Sequence, residues 1–86
     1  MKLVIFGGGS SYTPELVDGL IRRHHELPVR ELCLMDVNEQ RLEILAGLTR
    51  RMLARAGLPV QVTATADRRR ALEGAEHVAD GPLGWR

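Results

Sequence analysis

At 86 residues the chain can hold at most one small domain, because chains of this size bury a limited share of their surface. Its 12 basic and 11 acidic residues leave a formal net charge of +1, which excludes the broad basic surface typical of proteins that bind nucleic acid or anionic membranes. The apolar run near the amino terminus is far shorter than a signal peptide or a membrane span requires, so a cytoplasmic location is expected.

The first segments predict a strand followed by a helix. Residues 2–6 form a short, continuous apolar run, as expected for a strand buried on both faces, and glycines end it. Thr13 is a candidate helix N-cap, and Pro14 suits the first helical turn. Because Pro28 cannot continue a helix, this helix is predicted to end near Leu27.

A second strand and helix follow the first pair. Residues 31–35 are again a short apolar run, which stops at Asp36. Asn38 is a good N-cap, and apolar positions then recur on one helical face over residues 39–56. Gly57 supplies the stop signal, so the pattern to this point is strand, helix, strand, helix.

The third repeat of the pattern is shorter. Residues 60–65 have the β-branched alternation of a strand, and Asp67 is predicted to cap a short helix that runs through Glu73. The order βαβαβα implies an α/β fold with a right-handed parallel sheet, here a partial Rossmann-like doubly wound sheet. A fourth buried strand should come next, but residues 75–82 are too polar and interrupted to predict one.

The glycine-rich turn between the first strand and the first helix carries the main chemical signal. Gly7, Gly8 and Gly9 lie where the pyrophosphate of a dinucleotide can approach bare backbone and the unpaired N–H groups of a helix. Gly7 would permit the tight turn and Gly9 the close approach of phosphate, whereas Tyr12 replaces the third glycine of G-x-G-x-x-G. The alternative is a plain strand-to-helix turn without a ligand.

Asp36 is the second signal. It follows the second strand at the distance expected for a carboxylate that accepts hydrogen bonds from the ribose hydroxyls of a dinucleotide. Such an acid favours NAD over NADP, because a 2′-phosphate would face its negative charge. Arg41, one helical turn further on, could soften that preference. The alternative is that Asp36 only helps to cap the second helix.

Three other features are interpreted as structural. His24 and His25 are adjacent in a predicted helix and diverge by about 100°, so they are not expected to share a metal ion. The run of arginines at residues 68–70 lies near acidic residues and is interpreted as a solvated face. Cys33 cannot form an internal disulfide, because it is the single cysteine, and its apolar neighbours predict a core position.

The string FGGGSSYTPEL, residues 6–16, resembles the amino-terminal motif of glycoside hydrolase family 4, in which G-x-G-S is followed shortly by T-P. The resemblance covers roughly residues 1 to 78. Within the family it looks closest to the 6-phospho-β-glucosidases. Further stretches that look like this family are residues 34–36, 41–42, 65–68 and 71–75.

The resemblance implies hydrolysis of 6-phospho-glucosides by NAD-dependent oxidation and elimination. Carbon 3 of the phosphorylated sugar is oxidised, which acidifies the carbon 2 proton and lets the aglycone leave before water adds and the hydride returns. A divalent metal such as manganese and a tyrosine base are also implied, through residues downstream of this region. No catalytic or metal-binding residue is therefore expected here, Cys33 and the histidines included. The implied cofactor contacts are Gly7, Gly9, Ser10, Ser11, Tyr12, Thr13 and Asp36.

The family also has an apolar fourth strand and a polar loop where this chain runs into residues 80–86. We therefore predict a partial NAD-binding domain over residues 1–78 and a divergent tail over residues 79–86, as a truncated or frame-shifted gene would produce. Such a chain is expected to be inactive alone. The alternatives are part of another NAD-dependent dehydrogenase, and a non-catalytic Rossmann-like module that associates through an uncovered sheet edge. By resemblance, the parent enzyme is expected to be a homo-oligomer.

Overall fold

The computed structural model describes residues 1–9, 12–26, 28–80, 84 and 85, and strands alternate with helices along most of that length. The elements in chain order are β1 (Lys2–Phe6), α1 (Thr13–Arg22), β2 (Glu31–Met35), α2 (Glu39–Arg55), β3 (Gln61–Thr65), α3 (Arg68–Leu72), β4 (Ala75–Asp80) and β5 (Gly84–Trp85). None of the helices in the described ranges has the length and apolarity that crossing a membrane requires.

The strands form one sheet in the order β3-β2-β1-β4-β5. β1 pairs in parallel with both β2 and β4, and β2 pairs in parallel with β3. β5 runs antiparallel to β4 at the edge. The predicted α/β class with a Rossmann-like parallel sheet is confirmed, and β1 lies at its centre.

Apolar clusters cover both faces of the sheet. Ile5 and Leu34 belong to the larger cluster, which they share with buried residues of α1 and α2. On the opposite face Val4 and Cys33 pack with Ala71 of α3. Because successive strand residues point to opposite faces, burial on both sides explains the continuous apolar runs of β1 and β2. The predicted core position of Cys33 is confirmed by an exposed fraction of 2%.

The starts of α2 and α3 follow local capping rules. Asn38 Oδ1 accepts the N–H of Arg41 at 3.1 Å. Asp67 Oδ1 accepts the N–H groups of Arg69 and Arg70 at 2.9 and 3.3 Å. Each side chain satisfies donors that the first helical turn leaves unpaired, so both predicted caps are confirmed.

The start of α1 differs from the prediction. Tyr12 occupies the N-cap position and makes no side-chain capping hydrogen bond, while Thr13 is the first helical residue. The prediction of Thr13 as the N-cap is wrong because its hydroxyl donates to the carbonyl of Gly8 instead of accepting from the helix. Pro14 stands in the first turn, where its missing N–H costs no helical hydrogen bond.

α1 also ends at Arg22, earlier than the predicted end near Leu27, which lies outside the described residues. The N–H of Arg23 is shared between carbonyls three and four residues back, and the N–H of His24 bonds three residues back. Such bonds tighten the last turn and close the helix early. The turn that follows lets Val29 join the main apolar cluster.

The polar segment after Gly74 does form a strand, contrary to the prediction. β4 is held by parallel backbone pairing with β1, which does not depend on side-chain polarity. Ala79 is buried in the larger cluster, and Val78 packs against the smaller one on the other face. Ala75 also packs against the smaller cluster, so small apolar side chains are enough to hold β4 over Ala75–Asp80.

Candidate functional site

The candidate site lies at the carboxyl ends of β1 and β2. Gly7, Gly8 and Gly9 follow β1 directly and Asp36 follows β2, so the two predicted signals meet at one edge of the sheet. Gly7 has a φ of +73°, a left-handed conformation that residues with a side chain rarely adopt. This conformation agrees with the tight turn expected at Gly7.

Gly8 and Gly9 lack side chains because other parts of the protein approach them closely. A Cβ atom on Gly8 would lie 2.6 Å from the Cβ atom of Leu34. A Cβ atom on Gly9 would lie 2.9 Å from Asp36 Oδ2. The sequence suggested that Gly9 leaves room for a phosphate, and the structure adds that it leaves room for the end of β2 and the start of α2.

Among the residues that the structure describes, three hydrogen bonds hold this turn, and we call these three the loop clamp. The N–H of Gly8 donates to the carbonyl of Met35 at 2.9 Å. The N–H of Gly9 donates to Asp36 Oδ2, also at 2.9 Å. The hydroxyl of Thr13 donates to the carbonyl of Gly8 at 3.0 Å. The clamp joins the ends of β1 and β2 to the first residue of α1, so contacts within the protein set the shape of the turn.

The carboxylate of Asp36 accepts one backbone N–H on each oxygen. Oδ2 receives Gly9, and Oδ1 receives the N–H of Asn38 at 3.0 Å. A carboxylate has about four lone-pair positions, and these two bonds, the ones seen among the described residues, use about two of them. Asp36 also contributes to the start of α2, because it accepts the N–H of Asn38, the residue that caps this helix.

The residues around the start of α1 differ in how they can meet a ligand. Thr13 is 0% exposed, and its hydroxyl supports the turn through its bond to Gly8. Tyr12 is 45% exposed. Ser10 and Ser11, the other expected contacts, lie outside the described residues.

Arg41 adds a cation beside the turn. Its Cβ atom would lie 3.1 Å from a Cβ atom on Gly9, and the residue is exposed on the first turn of α2. The amino terminus of α2 already carries partial positive charge from its aligned peptide dipoles. An anionic ligand at this edge would therefore meet positive charge close to the Asp36 carboxylate.

The features interpreted as structural supply no second site. The rings of His24 and His25 are 6.5 Å apart and tilted by 58°. Within the described ranges, no group of three or more His, Cys, Asp or Glu side chains could hold a metal ion. The arginines at residues 68–70 are exposed, and Arg68 stacks its guanidinium carbon 5.3 Å from the centre of the Phe6 ring.

Lys2 has a role that the sequence did not reveal. Its Nζ donates to the carbonyls of Glu73 at 2.6 Å and Arg70 at 3.3 Å, and lies 3.8 Å from Glu31 Oε2. The ammonium group thereby caps the negative end of α3 from the start of β1. No local pattern signals this contact, because the partners are distant in sequence.

The arrangement fits a dinucleotide. A glycine turn that leads into a helix offers backbone to a pyrophosphate, and an acid on the adjacent strand offers acceptors to a ribose. A Cβ atom on Gly7 would meet none of the described residues within 4 Å. The described residues hold no comparable set of ligands for a metal ion.

Comparison with known proteins agrees with this interpretation. The family model described as "Family 4 glycosyl hydrolase" matches residues 2–81. The chain is 52% identical over 80 residues to the "Probable 6-phospho-beta-glucosidase" of Bacillus subtilis strain 168. It is 51% identical over 80 residues to the 6-phospho-beta-glucosidase of Escherichia coli K12. Each comparison covers 91% of this chain, which spans 18% of the length of these relatives.

The fold is likewise similar to part of a solved enzyme. The 6-phospho-beta glucosidase from Thermotoga maritima, in a tetragonal form with manganese, NAD+ and glucose-6-phosphate, superimposes with a TM-score of 0.83 at 29% identity. The match covers 93% of this chain and 19% of that one.

Proposed function

Because the chain belongs to family 4 of the glycosyl hydrolases, we propose that it forms the NAD-binding part of a glycosidase that acts on 6-phospho-glucosides by oxidation and elimination. The observation that carries the cofactor assignment is the clamped glycine turn beside Asp36, at the carboxyl edge of a parallel sheet. The substrate class is supported by the three relatives described above, which are two 6-phospho-beta-glucosidases and one probable 6-phospho-beta-glucosidase.

The adenosine ribose of NAD is assigned to Asp36. Each of its carboxylate oxygens accepts one backbone N–H group, which uses about two of roughly four lone-pair positions, and the ribose hydroxyls would donate to the others. The same negative charge disfavours a 2′-phosphate and so favours NAD over NADP. Arg41 beside the turn reduces that preference, because its guanidinium attracts phosphate of either cofactor.

The pyrophosphate is assigned to the loop between the glycine turn and α1. The N–H groups of Gly8 and Gly9 already donate within the protein, so other donors must meet the phosphates. The amino terminus of α1 supplies a dipole that favours a negatively charged group. The proposed contacts, beside the backbone of Gly7, are Ser10, Ser11 and the residues Tyr12 and Thr13.

The chemistry of the reaction is not assigned to the described residues. When bound, NAD supplies the hydride acceptor for oxidation of the sugar. The described residues bind and orient it, and they offer no side-chain group for the manganese seen in the solved relative. We therefore propose that this chain binds the cofactor without hydrolysing a glycoside on its own. We also propose that it acts in the cytoplasm.

Membership of glycosyl hydrolase family 4 argues against the alternative that the chain is part of another NAD-dependent dehydrogenase. The alternative of an association module retains one observation in its favour, because β3 is an edge strand on which Gln61 and Ala64 are exposed. Sedimentation at several protein concentrations measures whether the chain self-associates. An association module requires self-association, whereas the NAD-binding role does not.

Titration of the purified chain with NAD, followed by amide NMR spectra, tests the proposal. We expect saturable shifts at residues 7–9, at the start of α1 and at residues 36–38, with a weaker response to NADP. A dispersed spectrum that ignores NAD would contradict cofactor binding. Release of glucose 6-phosphate from a 6-phospho-β-glucoside by this chain, with NAD and Mn²⁺ added, would contradict the proposal that it is inactive alone.

A further inference from the structure

We propose that Asp36 is a positioning residue that latches the glycine turn, in addition to its proposed contact with the ribose. The part of this inference that concerns ligands rests on the proposed function. The latch itself concerns the protein alone, since it is made of two backbone N–H groups and one carboxylate. Neutralising Asp36 should therefore loosen the turn, and should not convert the site to NADP.

The two donors come from different elements, which is why the carboxylate acts as a latch. Gly9 belongs to the turn after β1, and Asn38 is the residue that caps α2. Asp36 stands at the end of β2 between them and is partly buried. One side chain thus fixes the turn to the start of the neighbouring helix.

Leaving the N–H of Gly9 without an acceptor would cost free energy of folding. Gly9 is buried, and its N–H points at Asp36 Oδ2 from 2.9 Å. A buried donor that loses its acceptor retains the full cost of its desolvation. Because Gly9 also has no room for a side chain, the turn cannot shift toward α2 to find another acceptor there.

Neither asparagine nor glutamate at position 36 can accept both the Gly9 and the Asn38 N–H groups as aspartate does. An asparagine can turn its one oxygen toward Gly9, but its amide NH2 then faces the N–H of Asn38, donor against donor. A glutamate keeps both oxygens and the charge, yet its extra methylene displaces them from two fixed donors. A glutamate still satisfies a ribose, for which either acid serves in folds of this type.

The variants Asp36→Asn and Asp36→Glu test the latch, with Asp67→Asn as the matched control. Asp67 also follows a strand at this edge and also accepts two backbone N–H groups, but both come from α3, and asparagine caps helices equally well. Amide hydrogen exchange is measured without ligand at Gly9, at Asn38 and at Val4, which is buried in central β1 and reports global opening. NAD and NADP are then titrated into each variant.

We expect exchange at Gly9 and Asn38 to accelerate by at least about tenfold in both Asp36 variants and to stay unchanged in the control, with Val4 unaffected. NAD affinity should fall by about tenfold or more in both, without any gain in NADP affinity. Unchanged exchange at Gly9 would overturn the latch, as would equal acceleration at Val4. A gain of NADP binding in Asp36→Asn would also overturn it. If no protein binds NAD, the proposed function fails, while the exchange rates still decide the latch.

Discussion

The hydroxyl of Thr13 donates to the carbonyl of Gly8 across 3.0 Å, in a position that solvent does not reach. This bond links the first residue of α1 to the glycine turn, so the helix cannot move without moving the turn. The Thr-Pro pair that follows the serines therefore has a structural reason: threonine anchors the helix start to the turn, and proline begins the helix without a wasted N–H.

Replacing Thr13 with valine should lower the free energy of unfolding by about 1–3 kcal/mol, because a nearly isosteric side chain leaves a buried carbonyl without its donor. Thr13→Ser should retain most of the stability, since it keeps the hydroxyl. Urea denaturation followed by circular dichroism measures both. A valine variant as stable as the wild type would show that the bond contributes nothing.

Replacing Gly9 with alanine should destabilise the fold by about 1–3 kcal/mol and weaken NAD binding, because the new methyl group would stand 2.9 Å from Asp36 Oδ2. Gly47→Ala is the matched control. A Cβ atom there meets only Arg51, at 3.6 Å, within α2, so alanine should stabilise the helix by about 0.5–1 kcal/mol. Opposite signs of the two changes in unfolding free energy are the expected result, and equal signs would contradict the crowding at Gly9.

Replacing Lys2 with methionine should destabilise the fold by about 1 kcal/mol, because the carbonyls at the end of α3 lose a charged donor. The side chain of Lys2 is only 14% exposed, so water replaces this donor poorly. Arg22→Met provides the comparison, since it breaks an exposed ion pair with Asp18 within α1. That pair should contribute only about 0.3–0.5 kcal/mol. Thermal unfolding at two salt concentrations compares them, and a larger loss in Arg22→Met would refute the ranking.

Replacing Arg50 with alanine should promote self-association. Its guanidinium donates to the carbonyl of Val62 at 3.1 Å, which occupies an acceptor of the edge strand β3. Removing it leaves this acceptor open to another chain. Arg51→Ala removes the same charge from an exposed position on α2 and should not associate. Sedimentation velocity over a tenfold range of concentration, about 10 to 100 μM, distinguishes them; identical behaviour would argue against edge protection by Arg50.

Local signals predicted the elements well. The caps at Asn38 and Asp67 follow from the residue type and from the few positions after it, and the structure confirms both. The continuous apolar run of residues 31–35 predicted β2 with its observed bounds. These features depend on interactions within a few residues, which a sequence displays directly.

Contacts between distant segments were not predictable in the same way. The N–H of Gly9 is paired with Asp36 across 27 residues, so no local pattern could show that Asp36 serves the turn as well as a ribose. The same holds for β4, whose polar sequence is compensated by pairing with β1. Thr13 was placed one position too early in the helix because its hydroxyl has a tertiary partner.

The position of β4 also bears on the order in which the protein folds. β1 precedes β2, β3 and β4 in the chain, yet one of its two partners is β4, with Lys2 paired to Ala75. Strands that are distant in sequence pair late in folding. The intervening chain must lose conformational entropy before the two strands gain their contacts, and this slows folding. During synthesis, the edge of β1 that pairs with β4 therefore stays unpaired until β4 has been made. The glycine turn follows β1 directly. We therefore expect the turn to bind a ligand only after Ala75–Asp80 has been made and has paired with β1.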